Sequence, residues 1–191
     1  MKTGRLEAFS DGVLAIIITI MVLEMKAPKE TTFEALLGLG PIFISYLLSF
    51  IYLGIYWNNH HHLFQVTEKV NGKILWANLH LLFWLSLIPF ATSWVGEHHA
   101  SAIPVAFYGF VLLMSSIAYR VLEKYLIKHQ DKENPIHLIA KNSTKETVSI
   151  FVYILSIPLA FLSIWISIAC FIIIAILWVI PSKTLESSIT Q

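Results

Sequence analysis

Two kinds of side chain in this 191-residue sequence could carry chemistry: a carboxylate inside an apolar run, and a set of 8 histidines. Asp11 interrupts the run from Phe9 to Met25. A carboxylate in such a segment is costly enough to be read first as functional. Its place in the first turns of a helix offers a plainer role, because an acidic group near a helix N-terminus suits the macrodipole and stays hydrated. The histidines fall as His60-His61-His62, His80, His98-His99, His129 and His137. A membrane di-iron oxygenase would need boxes such as H-x-x-H-H, and none of these groups has that spacing. Adjacent histidines on a helix also point in different directions, so no metal site is assigned. The sequence has no nucleophile–base pair, phosphate loop or cofactor fingerprint, and neither catalytic residues nor a cofactor are expected. Cys170 is the single cysteine and lies in an apolar run, which excludes a disulfide framework within one chain.

The elements that must position Asp11 are membrane helices. Apolar residues make up 57% of the chain and charged residues only 13%, with a mean hydropathy of +0.71. Soluble domains are nearer half apolar and a quarter charged. At roughly 20 residues per span, a chain of this length holds about six spans and little else. The expected fold is therefore an all-α integral membrane protein with six transmembrane helices in one domain, spanning about 6–26, 36–62, 73–95, 102–126, 146–162 and 165–181. The first run is kept as a retained helix, since nothing after Glu24 reads as a small-residue cleavage site. The stretch from Thr147 to Ile180 is ambiguous, too long for one span and short for two; a hairpin turning near Ser163 gives two short helices, and one helix kinked at Pro158 is the alternative. On this reading all 13 basic residues except Lys26 and Lys29 fall on one side, including Lys2, Arg5, Lys141 and Lys183. The positive-inside rule makes that side cytoplasmic, which places both termini inside a multi-pass protein of the cell membrane. The net charge of +1 points to no nucleic-acid partner.

Helical spacing puts Phe9, Gly12, Ile16, Thr19, Ile20 and Leu23 on one stripe of the first span. Such a stripe ordinarily contacts lipid or packs in a core. Its context points elsewhere. Arg5, Phe9, Ser10 and Asp11 spell R-x-x-x-F-S-D, followed by the apolar run Gly12 to Ile20 and by Val22-Leu23-Glu24. This resembles the signature of the transmembrane protein 175 family, the endolysosomal potassium channels and their prokaryotic relatives. A single six-helix unit is similar to the prokaryotic members, and the animal channels are similar to two such units fused.

The resemblance implies a homotetramer in the lipid bilayer, with the first helix lining a central pore and potassium as the permeant ion. It implies that Ile16 forms the main pore constriction, with Ile20 and Leu23 as further apolar positions and Thr19 as a hydroxyl tied to selectivity. Glu24 ends the same helix, either at the pore mouth, where a ring of carboxylates concentrates cations, or as a hydrated charge at the membrane surface. The resemblance also implies a structural polar network around Arg5, Phe9, Ser10 and Asp11. Its partners would come from the second and third helices, with His61, Asn78 and His80 as candidates; which histidine takes part is left open. Asp11 would then act as a strut and not as an ion-binding site. The chain has no Thr-Val-Gly-Tyr-Gly loop, so no filter of backbone carbonyls is expected and selectivity should be modest.

Two other classes compete with a channel. A proton-coupled secondary transporter would hold polar groups near the midplane in broken helices. The spans read as apolar there, apart from Thr19. A non-transporting interaction subunit would turn the Ile16 stripe toward protein or lipid, never toward water.

Overall fold

The structure, a computed structural model, describes residues 3–139 and 143–179, and its regular elements there are all helices. Lys2, Lys141, Lys183 and the last residues of the expected sixth span (180–181) lie outside the described residues.

Helix α1, Thr3–Glu24, has 22 residues and at ~1.5 Å per residue reaches across a hydrocarbon core. A single turn, α2 (Phe33–Leu37), follows; the Thr32 hydroxyl accepts a hydrogen bond from the Ala35 amide at 3.2 Å and caps it. Helix α3, Gly40–Gln65, starts on Pro41, whose missing amide hydrogen costs nothing in a first turn. The second span therefore begins four residues later than the sequence suggests and runs three residues further. Asn71 caps α4 (Gly72–Ser86), its Oδ1 accepting from the Ile74 amide at 3.0 Å. Leu87 then separates α4 from α5 (Ile88–Glu97), which carries Pro89 in its first turn. The expected third span is thus one bent segment. Helix α6, Ala102–His129, is the longest, and the short α7 (Ile136–Ile139) follows Pro135.

The ambiguous C-terminal stretch divides at Ser163 into α8 (Ser143–Leu162) and α9 (Ile164–Val179). Trp178 Nε1 donates to Ser149 Oγ at 2.9 Å, and Ser167 Oγ donates to the Ser156 carbonyl at 2.7 Å. Partners that move apart in sequence as they leave the turn define an antiparallel hairpin. Among the described residues, five helical segments are long and apolar enough to cross a membrane, and α9, with 16 residues, is shorter.

Helix α6 forms the centre, packing on α4, α5, α8 and α9, with Val105, Leu112, Ala118, Leu122 and Leu126 fully buried. Hydroxyls are also buried in this core, more than the apolar reading of the spans suggests. Tyr108 donates to Ser49 Oγ (2.9 Å) and Ser49 to Thr92 Oγ1 (2.6 Å), an order set by Thr92 giving its hydrogen to the Ile88 carbonyl at 2.7 Å. The chain ends on a backbone acceptor, so each hydroxyl is satisfied without water. Helix α1 stands at the edge of this bundle and packs on α3, α4 and α5.

Candidate functional site

Helix α1 has two distinct faces. Leu6, Ser10, Leu14, Ile17 and Met21 are buried. At about 100° per residue they occupy an arc of roughly 80°. Thr19, Gly12, Leu23, Ile16, Phe9 and Ile20 occupy an arc of roughly 100° on the far side. Of these, Ile16 is 58% exposed and Leu23 76%, and none of the six is buried. The stripe expected from spacing is therefore the face that the subunit leaves uncovered. Thr19 Oγ1 donates its hydrogen to the Ile16 carbonyl at 2.9 Å, so the lone pairs of the oxygen are what this hydroxyl presents outward. Glu24 ends the helix in an exposed position. Beside it, an open groove of about 760 Å³ runs between α1 and the bent α4–α5 segment, lined by Ile16, Ile20 and Glu24 on one side and Phe90, Trp94 and Glu97 on the other.

Polar contacts fix the opposite side. Asn78 Nδ2 donates to Ser10 Oγ at 2.9 Å, and Ser10 passes its own hydrogen to the Leu6 carbonyl at 2.9 Å. The Asn78 amide oxygen therefore faces His60 Nε2, 2.8 Å away, and accepts from it. Ser10 and Asn78 are fully buried and His60 is nearly so, stacked on Phe64. This triad ties α1, α3 and α4 together at one depth.

A second set of contacts lies nearer the surface. Trp57 Nε1 donates to Asp11 Oδ1 at 3.0 Å. Gln65 Nε2 donates to His61 Nε2 at 2.8 Å, which leaves His61 Nδ1 to donate to Glu7 Oε1 at 2.9 Å. Asp11 is thus held by an indole and not by a histidine.

The expected network members divide accordingly. Ser10 and Asn78 meet, and the histidine that completes their chain is His60. His61 reaches α1 through Glu7, a residue outside the expected network. His80 accepts from Trp84 Nε1 at 2.9 Å, one turn along α4, and takes no part. Arg5 and Phe9 are exposed and outside the network. The sequence does carry a signal for His60: it lies seven residues after Leu53 and three before Leu63, both buried, and so falls on the apolar stripe of α3. His61 lies about 100° round the helix, one turn from Trp57.

The start of α1 is anchored to the loop between α3 and α4, where Thr3 Oγ1 donates to the Glu68 carbonyl at 3.3 Å. Gln130 clamps that loop, accepting from the Glu68 and Lys69 amides at 3.0 and 3.1 Å and donating to the Lys69 carbonyl at 2.8 Å. Outside the helices, Lys69 Nζ lies 2.7 Å from Asp131 Oδ2. The hydrogen bond and charge of Lys69 hold the Asp131 carboxyl below its ordinary range, and Asp131 raises Lys69 in return. Among the described residues, no three His, Cys, Asp or Glu side chains gather as a metal site would require.

The sequence model of a family described as endosomal/lysosomal potassium channel TMEM175 matches residues 5–89, the stretch that holds α1 from Arg5 onward and the whole network. A potassium channel of Chryseobacterium sp. (strain P1-3) is 52% identical over all of this chain and all of its own length. A potassium channel of Streptomyces collinus is 33% identical over 66% of each chain. Among solved structures, a lysosomal potassium-selective channel TMEM175 homolog from Chamaesiphon minutus superposes with a TM-score of 0.82 at 28% identity, covering 93% of this chain and 96% of its own.

Proposed function

This chain belongs to the TMEM175 family, and on that premise we propose that it is one subunit of a potassium channel in the cell membrane. The family and its named members are channels rather than enzymes. Four copies surround one axis with α1 innermost, and both termini face the cytoplasm. The observation that carries this reading is the orientation of α1: its network side is buried, and the Ile16 stripe is left free to face an axis.

In that arrangement Ile16 forms the narrowest apolar ring, with Ile20 and Leu23 as further rings toward the outer end. Stacked branched side chains gate by dewetting, because a cation entering them loses hydration without finding replacement ligands. Thr19 supplies such ligands between the rings. Its hydrogen is committed to the Ile16 carbonyl, so a ring of hydroxyl oxygens offers lone pairs to a partly dehydrated potassium ion. Glu24 raises the local cation concentration at the mouth. Helix α9, paired with α8 along its length, completes six crossings. No cofactor is required, and potassium is the permeant ion.

Ion flux from liposomes reconstituted with purified protein tests this reading. Wild type should pass potassium faster than sodium, and Ile16→Asn should raise the flux by replacing an apolar ring with a wettable one. If both proteins are silent despite correct folding and assembly, the channel reading fails and a non-transporting subunit takes its place. Wild-type flux that Ile16→Asn leaves unchanged would move the constriction elsewhere.

A further inference from the structure

Away from α1, the joint between α6 and α8 holds two carboxyl groups that the proposed pore does not use. Glu123 and Glu146 are 4% and 5% exposed, and both stand next to Arg120, Glu123 one turn further along α6 and Glu146 across the joint. An ionised carboxylate only accepts hydrogen bonds, so two of them buried beside one cation repel unless a hydrogen is held between them.

The surrounding charge agrees. Arg120 is the close cation, its Nε 4.0 Å from Glu146 Oε2, and its Nη1 is already donating to Thr147 Oγ1 at 3.0 Å. Lys124 projects from the exposed side of α6, and Lys145 Nζ donates to the Leu177 carbonyl at 3.0 Å. From the other packed elements, Tyr56 of α3, Tyr119 of α6 and Tyr153 of α8 face the same space as neutral hydroxyls. With one proton between the acids, Arg120 and the pair are neutral together. With none, a second buried negative charge would lack a close partner.

One polar atom remains unaccounted for. Glu146 Oε2 is buried with no hydrogen-bond partner, and Glu146 lines a cavity of about 30 Å³ between α3, α6, α8 and α9. Asn59, Ser116 and Ser149 also border it. A buried water needs that much room and two to four polar partners, and both are present.

We propose that Glu123 and Glu146 form a proton-binding site of the subunit, one proton shared between the carboxyl groups and one water in the cavity donating to Glu146 Oε2. The bound proton fastens the α8–α9 hairpin to α6. Removing it at alkaline pH sets two carboxylates against each other across that joint. This site stands independently of the pore reading.

Infrared spectroscopy of the full-length protein in lipid vesicles, with glutamate side chains isotopically labelled, tests the proposal. Wild type at neutral pH should show the carbonyl stretch of one protonated glutamate per subunit, lost in a single step as pH rises. Both Glu123→Gln and Glu146→Gln should lack it, since the remaining acid ionises beside Arg120 and accepts from the new amide. Absence of the band from wild type overturns the proposal, whether or not either variant folds. Survival of the band in either folded variant overturns the sharing of the proton.

Discussion

Asn78→Leu removes the centre of the buried chain while nearly preserving volume, and so isolates the hydrogen bonds from the packing. Two contacts disappear: Asn78 to Ser10 at 2.9 Å and His60 to Asn78 at 2.8 Å. Ser10 keeps its bond to the Leu6 carbonyl, so its loss is that of one ordinary hydrogen bond, about 1 kcal/mol. His60 is left with a buried donor and no acceptor, which costs about 1–3 kcal/mol. Side-chain pairs between membrane helices contribute less than this on average, about 0.6 kcal/mol, because the unfolded segments find other partners in the bilayer. The expected destabilisation is therefore about 2 kcal/mol, nearer the lower end of the sum. Reversible unfolding in mixed detergent micelles, followed by circular dichroism, measures it. Ser10→Ala alone and combined with Asn78→Leu completes a cycle whose coupling should be about 0.5–1 kcal/mol. A coupling indistinguishable from zero, with Asn78→Leu costing under about 0.5 kcal/mol, would refute the claim that this chain holds α1 in place.

Four further outcomes follow from the same geometry. A Cβ on Gly96 would lie 3.0 Å from the Ile42 Cα, a backbone atom that cannot swing aside, so Gly96→Ala should cost about 1–3 kcal/mol in the same unfolding measurement. Gly12→Ala, where nothing lies within 4 Å, should cost the subunit no stability. Thr19→Val keeps shape and removes the outward oxygen; reversal potentials should show a reduced preference for potassium over sodium with flux retained. The Lys69–Asp131 pair sets a pH window. Asp131 is lowered, so its contribution is present above the ordinary carboxyl range and lost as pH falls through the depressed value. Lys69 is raised, so its contribution is present below the ordinary lysine range and lost as pH rises through the elevated value. Both groups are exposed, so Asp131→Asn should leave unfolding at pH 7 in physiological salt unchanged.

Much of this architecture is legible in the residues themselves. The R-x-x-x-F-S-D run marks α1, the 3.6-residue period picks out the stripe that α1 leaves uncovered, and Ser163 reads as the turn between α8 and α9. Pairing across helices is not legible in the same way. His60, His61 and His62 are consecutive, and only the rotation of α3 decides which one turns inward. That rotation is set by Leu53, Leu63 and Phe64 packing in the core, a long-range matter. The same holds for Glu123 and Glu146. Each reads as a charge in a cytoplasmic segment, and neither signals burial until α8 folds back on α6. The bend at Leu87 is hidden too, because Pro89 sits two residues beyond it in a run otherwise fit for one straight helix.

The polar network and the apolar stripe are one device, seen from two sides of α1. A smooth apolar helix at the edge of a bundle would turn about its axis at little cost, since lipid and neighbouring leucines are alike to it. Ser10 removes that freedom. A turn of one residue, about 100°, would carry its hydroxyl away from Asn78 and bring Asp11 where Ser10 had been, breaking the indole contact to Trp57 as well. The same turn would move Ile16 to the margin of the free face and bring Ile17, buried against the bundle, toward the open. The pore proposed above would need every subunit to present the same residue to the axis, because one misplaced side chain leaves a wettable gap in an apolar ring. In the proposed pore, the residues of α1 that never meet the ion therefore decide which residues do.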